Sequence, residues 1–257
     1  MKIRIVIYFI QFLSSVNLLF AQDIQVVAHR GGVHWGPENT LATIGIAIDK
    51  GVDYIEMDVR QTKDGVFVLM HDQSVSRTTN GSGNVSELSW DEIKDLDAGS
   101  WYSDEYTNEP IPKLRDVLKA INGKVLPDLD FKSGDPKLLV QLLKEEGFLD
   151  GRPLTLYSGD PQLIKEIQQL TDQIRVRPSI KSTYGELLSS INPPIVNLSW
   201  RKYSRKIQQR MNLDGKLSFV NCLFFANRKR PIKKAIQLGA NFIQTDKLDF
   251  LLDQLNR

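Results

Sequence analysis

Short apolar segments recur along the chain and alternate, over most of its length, with segments of helical hydrophobic period. Brief apolar runs between turn residues are typical of buried strands, whereas apolar residues spaced three and four apart are typical of helices. In residues 161–170, for example, Leu163, Ile164, Ile167 and Leu170 follow the helical spacing. Eight strands are predicted, at 25–28, 54–58, 124–126, 154–156, 174–176, 195–198, 217–220 and 242–244.

This alternation of strands and helices predicts the fold class. Strands joined by helices pair in parallel, and eight such units close into a barrel. The roughly 235 residues that follow residue 21 match the usual size of such a barrel, and no internal repeat or low-complexity linker divides them. We therefore predict an α/β protein, a (β/α)8 TIM barrel, in one domain at 22–257.

A hairpin is predicted directly after the second strand, because the connection to the next apolar segment is too short for a parallel crossover. The Asp64-Gly65 pair is typical of a two-residue hairpin loop. A loop of these two residues places His71 opposite Asp58, and a loop one residue earlier places His71 opposite Glu56. Either register brings an imidazole beside a carboxylate.

Residues 73–113 form a polar interval rich in Ser, Thr, Asn and Gly. An interval of this length is too long for an ordinary barrel connection, so we predict a small inserted cap region there. Within it, a short helix is predicted at 89–93, with Ser89 as its cap and Glu92 at the third position. In the main body, Asn39 or Thr40 is predicted to cap the first helix.

Residues 1–21 have the pattern of a secretory signal peptide. Lys2 and Arg4 precede an apolar stretch without acidic residues, which ends at Ala21. We predict cleavage after Ala21 and export to a periplasm or to the outside of the cell. The alternative is an uncleaved membrane anchor, since Leu19 is larger than the small residue usually found near a cleavage site.

Charge and cysteine content exclude some classes of partner and scaffold. Without Lys2 and Arg4, the formal charge of +2 falls to zero, which argues against a nucleic acid as partner. The single cysteine, Cys222, excludes an internal disulfide, and its β-like surroundings predict a small buried apolar residue. The basic run at 228–234 could attract anionic lipid heads, but it is more typical of a solvated helix start. Contact with a membrane is therefore not indicated, and the sequence predicts no oligomeric state.

Polar side chains follow several of the predicted strands. In a parallel barrel the C-terminal ends of the strands form one face, so we expect these side chains to meet there. Glu56 and Asp58 lie two apart on one strand and leave it from the same face, where both can bind one cation. The other polar groups at strand ends are His29, Arg30, His71, Asp130, Lys132, Thr245 and Asp246.

Three carboxylates without a cysteine favour a hard divalent cation, Ca²⁺ or Mg²⁺, over zinc. We predict Glu56, Asp58 and Asp130 as its ligands. Asp128 lies on the same face of its strand as Asp130 and is the alternative third ligand.

The order and spacing of these motifs resemble those of the glycerophosphodiester phosphodiesterase family. The resemblance rests on His29-Arg30-Gly31, Pro37-Glu38-Asn39-Thr40, Glu56-Met57-Asp58, Thr62-Lys63-Asp64-Gly65, His71-Asp72, Glu109 to Leu114, Asp130-Phe131-Lys132 and Thr245-Asp246. It implies metal-dependent hydrolysis of a small-molecule glycerophosphodiester to glycerol 3-phosphate and an alcohol. The chain departs from the family at Asp130, where glutamate is usual, and at 222–227, where a Trp-Thr pair is often found.

A phosphodiester is the substrate that uses all of the predicted groups. Arg30 and Lys132 are predicted to bind the phosphate oxygens, beside the cation. His29 and His71 are predicted to act as general base and general acid, because an alkoxide needs a proton in order to leave near neutral pH. The order of the two histidines stays open.

Two alternatives change the function. An enzyme with the same barrel and histidines could act on a lysophospholipid or a phosphoinositide, which an apolar groove near the insertion would favour. A binding protein could use the phosphate pocket without turnover, although paired histidines argue against it. His34 and Trp35, in the loop after the first strand, either line the pocket or only pack.

Overall fold

The computed structural model describes residues 23–180, 183–223 and 229–257. The predicted signal peptide lies outside the described residues, so the division into a leader and one domain stays a prediction. The strands are β1 Gln25–Ala28, β2 Tyr54–Gln61, β3 Phe67–Leu69, β4 Leu126–Phe131, β5 Leu154–Tyr157, β6 Ile174–Val176, β7 Ile195–Ser199, β8 Leu217–Asn221 and β9 Phe242–Thr245.

Helices follow most of these strands and cover the outside of the sheet. They are α1 Leu41–Asp49, α2 Trp90–Ile93, α3 Leu114–Ile121, α4 Pro136–Glu145, α5 Pro161–Leu170, α6 Tyr184–Ser190, α7 Arg205–Leu213, α8 Arg230–Gln237 and α9 Leu248–Gln254. Thr40 caps α1, as predicted, by accepting a hydrogen bond from the backbone N–H of Thr43. Apolar faces such as that of α5, with Ile164 and Ile167 fully buried, pack against the strands and form the main core.

The sheet has the order β6-β5-β4-β2-β1-β9-β8-β7, and all eight of these strands are parallel to their neighbours. One isolated parallel bridge, between Ser179 and Asn197, spans the remaining gap between β6 and β7. The eight parallel strands thus form a nearly closed barrel. The predicted TIM-barrel fold is confirmed.

The strand β3 pairs antiparallel with β2, as the predicted hairpin requires, but both predicted registers are wrong. Arg60 pairs with Val68, and the N–H of Thr62 donates to the carbonyl of Val66, so the turn that these two residues enclose contains three residues rather than two. Gly65 takes a positive φ of 89°, and its N–H donates to the carbonyl of Thr62. A loop with one extra residue shifts the pairing by one position, and such loops need a residue in the left-handed region, which glycine adopts without strain.

The interval 73–113 contains α2 and three short 3₁₀ turns, Val75–Arg77, Val85–Glu87 and Asp104–Tyr106. Its apolar side chains form a separate small cluster with β3 and the residue after it. The predicted cap of α2 is present, since the Glu92 carboxylate accepts hydrogen bonds from the N–H and hydroxyl of Ser89. The insertion reaches the loop after β1, where the Tyr102 hydroxyl donates to the carbonyl of His34.

Within residues 23–180, 183–223 and 229–257, no helix has both the length and the apolar character needed to cross a bilayer.

Candidate active site

A cavity of about 320 Å³ opens at the C-terminal ends of the barrel strands. Its lining includes all seven residues predicted from the sequence as site residues, and they come from four separate strand ends. These residues are His29, Arg30, Glu56, Asp58, His71, Asp130 and Lys132. The fold therefore brings the predicted groups together, as expected for the C-terminal face of a barrel.

The chain makes a tight turn directly after β1. Arg30, Gly31 and Gly32 all have positive φ angles, of 50°, 83° and 110°. Such a backbone is strained for arginine, and strain of this kind is concentrated at functional sites. Here it directs the N–H of Arg30 at the Glu56 carboxylate, with an N–O distance of 2.7 Å. A side chain at position 32 would put its Cβ 2.8 Å from the Trp35 ring, so only glycine fits there.

The three predicted carboxylates converge on one point. An oxygen atom from each of Glu56, Asp58 and Asp130 lies within 4.8 Å of the other two. Asp58 is held from both ends by Asn39, whose amide nitrogen donates to Asp58 Oδ2 at 2.8 Å and whose carbonyl accepts the Asp58 N–H. Lys132 Nζ lies 3.0 Å from Asp58 Oδ1 and 2.6 Å from Asp130 Oδ2.

Burial and mutual repulsion raise the pKa values of these carboxyl groups, whereas the neighbouring cations lower them. Burial, together with the charges of Asp58 and Asp130, raises the pKa of Glu56 well above its usual range. Burial also raises the pKa of Asp130, although Lys132 opposes this. For Asp58, burial acts in the same direction, but Lys132 and then Arg30 outweigh it and lower the pKa.

These side chains fit a divalent cation. Asp130 Oδ1 is buried and has no hydrogen-bond partner, and such an atom is costly unless a further group binds it. An all-oxygen set of three carboxylates suits Ca²⁺ or Mg²⁺. The alternative ligand, Asp128, is engaged elsewhere, because Arg177 binds both of its oxygens at 2.7 Å and Thr155 donates a further hydrogen bond.

Each predicted catalytic histidine is bound by a carboxylate through the same ring nitrogen. His29 Nδ1 lies 2.6 Å from Asp246 Oδ1, and His71 Nδ1 lies 2.6 Å from Asp72 Oδ1. A carboxylate at Nδ1 favours a proton on that nitrogen, so Nε2 of the neutral ring is left as an acceptor. Both imidazoles are therefore arranged to exchange a proton at Nε2.

A chain of ion pairs links the two histidine arms, and part of it was missed in the sequence. Glu38 accepts hydrogen bonds from Arg30 Nη1 and from both terminal nitrogens of Arg77, at distances from 2.6 to 3.1 Å. Arg77 Nε also lies 2.5 Å from the second oxygen of Asp72. Arg77 belongs to the insertion, where no periodicity or motif spacing pointed to a role.

The far wall of the cavity was also missed. Arg177 is 2% exposed, and its guanidinium lies over the Phe219 ring at 4.0 Å while it binds Asp128. Its position just after β6 is the signal that could have found it. The cavity lining found among the described residues includes neither His34 nor Trp35; the indole of Trp35 donates to Asp249 instead.

The predicted difference near β8 is described only in part. Cys222 is half-buried against the main core, and burial raises the pKa of its thiol to about 12. Leu223 lines the cavity. The rest of this segment, 224–227, lies outside the described residues.

Comparisons with known proteins agree with this site. The model of the glycerophosphoryl diester phosphodiesterase family matches residues 29–186. The chain is 31% identical over 237 residues to YhdW of Bacillus subtilis, a match that covers 88% of this chain and 96% of that one. It is 42% identical over 153 residues to a glycerophosphodiester phosphodiesterase of Caldanaerobacter subterraneus, covering 59% of this chain and about half, 55%, of that enzyme.

Two solved structures have the same fold over nearly their whole length. One is a glycerophosphodiester phosphodiesterase of Agrobacterium tumefaciens, with a TM-score of 0.81, 25% identity, and coverage of 90% of this chain and 99% of that one. The other is a phosphodiesterase of Oleispira antarctica in complex with the product sn-glycerol-3-phosphate, with a TM-score of 0.82, 26% identity, and coverage of 91% and 97%. The resemblance found in the sequence is confirmed, and the chain belongs to the glycerophosphoryl diester phosphodiesterase family.

Proposed function

We propose that this protein hydrolyses small glycerophosphodiesters to glycerol 3-phosphate and an alcohol, with one divalent cation as cofactor. The observation that carries the proposal is the composition of one cavity, in which three converging carboxylates, two cationic side chains and two carboxylate-bound imidazoles meet. Similarity to the Oleispira antarctica enzyme, whose structure contains glycerol 3-phosphate, supports the same product.

The phosphate group would be bound next to the three carboxylates, by the divalent cation and by two basic side chains. Glu56, Asp58 and Asp130 would hold Ca²⁺ or Mg²⁺, which supplies positive charge to a non-bridging oxygen of the phosphate. Lys132 Nζ and the guanidinium of Arg30 both lie within 3.5 Å of Asp58, so they are next to the same point. From there, both can donate charge-assisted hydrogen bonds to the remaining phosphate oxygens.

The reaction needs two steps. In the first, one imidazole accepts at Nε2 the proton of the glycerol hydroxyl group next to the phosphate, whose oxygen forms a bond to phosphorus, while the other imidazole donates a proton to the leaving alcohol oxygen as its bond to phosphorus breaks. In the second, the two rings exchange roles as water opens the cyclic diester to glycerol 3-phosphate. Asp246 and Asp72 hold the rings by Nδ1 and stabilise each imidazolium as it forms. His29 is 12% exposed and His71 is 33% exposed in their side chains, so His71 is the more open to solvent.

The test is release of glycerol 3-phosphate from a panel of glycerophosphodiesters, with choline, ethanolamine, glycerol and inositol as the alcohols. We expect turnover with Ca²⁺ or Mg²⁺ and its loss with a chelator. The Glu56→Gln variant should lose turnover at any practical cation concentration. Failure to release glycerol 3-phosphate from every substrate, with either cation, would refute the proposal.

One observation favours the alternative lipid substrate. A second groove of about 380 Å³ shares Ser179 with the catalytic cavity, and its lining includes the apolar Pro161, Pro178, Leu187 and Ile191. It lies beside α6, whereas the groove that the sequence analysis named as favouring a lipid substrate would lie near the insertion. A lysophospholipid included in the panel tests this alternative. Preference for it over the water-soluble diesters would make the lipid the substrate.

We also propose that the chain is exported by its N-terminal segment. The support is the sequence pattern of residues 1–21 alone. Sequencing the N-terminus of the protein recovered from cells tests the proposal, since export by a cleaved signal predicts a chain that begins after Ala21.

A further inference from the structure

Positive charge is concentrated on one side of the cavity mouth. Residues 199–213 and 229–240 contain nine lysines and arginines and no acidic residue. Eight of these cations are exposed. Six of the eight form the basic surface: Lys202, Arg205, Lys206, Lys229, Arg230 and Lys233. The remainder of the chain carries an excess of acid, since the full sequence has a net charge of only +2.

The two segments are neighbours beside the cavity. They follow β7 and β8, which pair with each other, and Ser199 and Asn221 at the ends of these strands line the cavity. Lys234 joins the segments by donating a hydrogen bond to the carbonyl of Trp200, at 3.1 Å. Because the helices of a β/α barrel begin at the C-terminal ends of the strands, the cations at the starts of α7 and α8 lie beside the mouth.

Anionic partners for these cations are absent from the part of the chain that the structure describes. None of the six forms an ion pair within 23–180, 183–223 and 229–257, whereas Arg210, at the other end of α7, pairs with Asp214. The segments that the structure does not describe contain no acidic residue that could serve instead. Among the described residues, the ring of Phe250 lies beneath the amino groups of Lys229 and Lys233.

The placement of the cations also opposes the local preference of a helix. The N-terminal end of a helix carries partial positive charge, which disfavours Lys and Arg and favours Asp and Glu. Arg205 and Lys206 nevertheless occupy the first turn of α7, and α8 begins with Arg230 after an N-cap lysine that makes no side-chain cap. These cations oppose the helix dipole and gain no anionic partner among the described residues. We therefore take their placement to indicate that they bind an external anion.

The opposite side of the mouth has the other sign. The insertion at 73–113, which contacts the loop after β1, contains eight acidic and three basic residues. An anionic surface would therefore attract one side of the mouth and repel the other, which fixes an orientation.

We propose that the basic surface docks the protein on an anionic lipid bilayer, with the cavity mouth beside the lipid heads. By itself, the basic run at 228–234 is typical of a solvated helix start. The structure places a second exposed set, Lys202, Arg205 and Lys206, in the neighbouring segment, which Lys234 joins to this run. A polybasic patch gains about fivefold in affinity for an anionic membrane with each Lys or Arg. Six such residues suffice for measurable binding.

The test is co-sedimentation of the full chain with phosphatidylcholine vesicles, with and without phosphatidylglycerol. Residues 1–21 would bind both kinds of vesicle. The quantity that tests the proposal is therefore the difference in bound protein between anionic and neutral vesicles. We expect preference for the anionic vesicles, weakened by added salt because screening shortens the range of the interaction. The variant Arg205→Glu, Lys206→Glu, Arg230→Glu should lose more than about a hundredfold in affinity for anionic vesicles, because three attracted charges are removed and three repelled charges are added.

Two controls separate docking from misfolding and from net charge. Glutamates at these helix starts agree with the helix dipole, so thermal unfolding of this variant should shift upward or stay unchanged. The variant Lys119→Glu, Lys137→Glu, Lys144→Glu carries the same net charge at exposed positions on α3 and α4 and should bind as the unchanged chain does. Equal binding to both vesicles, equal losses in both variants, or binding of soluble polyphosphate without vesicle preference would overturn the proposal.

Discussion

Replacement of Arg77 with methionine tests whether the insertion positions the catalytic groups. Arg77 binds two carboxylates, with Nε 2.5 Å from Asp72 and both terminal nitrogens on Glu38. Asp72 holds the ring of His71, and Glu38 also binds Arg30. The substitution removes the charge and the planar fork but keeps most of the volume, so both carboxylates lose one partner.

The expected loss of kcat can be estimated from the free energy of one charge-assisted hydrogen bond in a half-exposed site. Such a bond contributes about 1.5–3 kcal/mol when buried, and the 43% exposure of Arg77 calls for a discount because solvent screens the pair. A loss of about 1–2 kcal/mol in orienting His71 lowers kcat about 5- to 30-fold. Arg77→Lys keeps the charge but not the planar fork, so we expect its kcat to lie between those of the unchanged protein and Arg77→Met.

Arg115 provides a matched control. It is 42% exposed and also binds two carboxylates, those of Glu145 and Glu146, but these partners lie at the C-terminal end of α4 and do not line the catalytic cavity. Arg115→Met should therefore lower the free energy of unfolding by an amount similar to Arg77→Met, with no change in kcat. The assay is steady-state release of glycerol 3-phosphate, together with urea denaturation of both variants. Equal kcat in the two variants would refute the positioning role.

The two histidines can be told apart by the leaving group: loss of the acid should slow an alkyl ester far more than a nitrophenyl ester, because nitrophenolate leaves without a proton. Rates of His29→Ala and His71→Ala on both esters assign the acid, and unchanged rates in both would contradict the dyad. Burial and neighbouring carboxylates raise the pKa of Glu56, so the native state holds a proton that the unfolded chain loses near pH 4.5. Without a cation, the free energy of unfolding should therefore fall as the pH rises above that value, and saturating Mg²⁺ should remove the fall. Thermal unfolding measured across this pH range tests both expectations. Arg177→Met should cost about 3–5 kcal/mol of unfolding free energy by leaving Asp128 buried and unpaired. Adding Asp128→Leu should restore much of it in urea denaturation, and no restoration would argue against the pair.

The barrel could be predicted because its signals are local. Apolar runs, helical spacing and caps such as Thr40 each fix one element, and the C-terminal ends of parallel strands must then meet. This is why the sequence predicts that residues as distant along the chain as His29 and Asp130 lie on one face.

The sequence was less informative where a contact depends on loop length or on a partner far along the chain. The hairpin register depends on whether Gly65 takes a positive φ in a loop of two or three residues, which the Asp-Gly pair alone does not decide. Arg77 and Arg177 were missed because a charge in a loop looks solvated until its partner is known. The choice between Asp128 and Asp130 was open for the same reason, since it depends on Arg177.

Crystals grown with Mn²⁺, which gives a strong anomalous signal at a site for hard cations, test the central claim most directly. The account predicts one anomalous peak at about 2.1–2.6 Å from carboxylate oxygens of Glu56, Asp58 and Asp130, as for hard cations in proteins. The same peak should disappear in crystals of Asp58→Asn. A peak at another position, or none at these three side chains, would contradict the account.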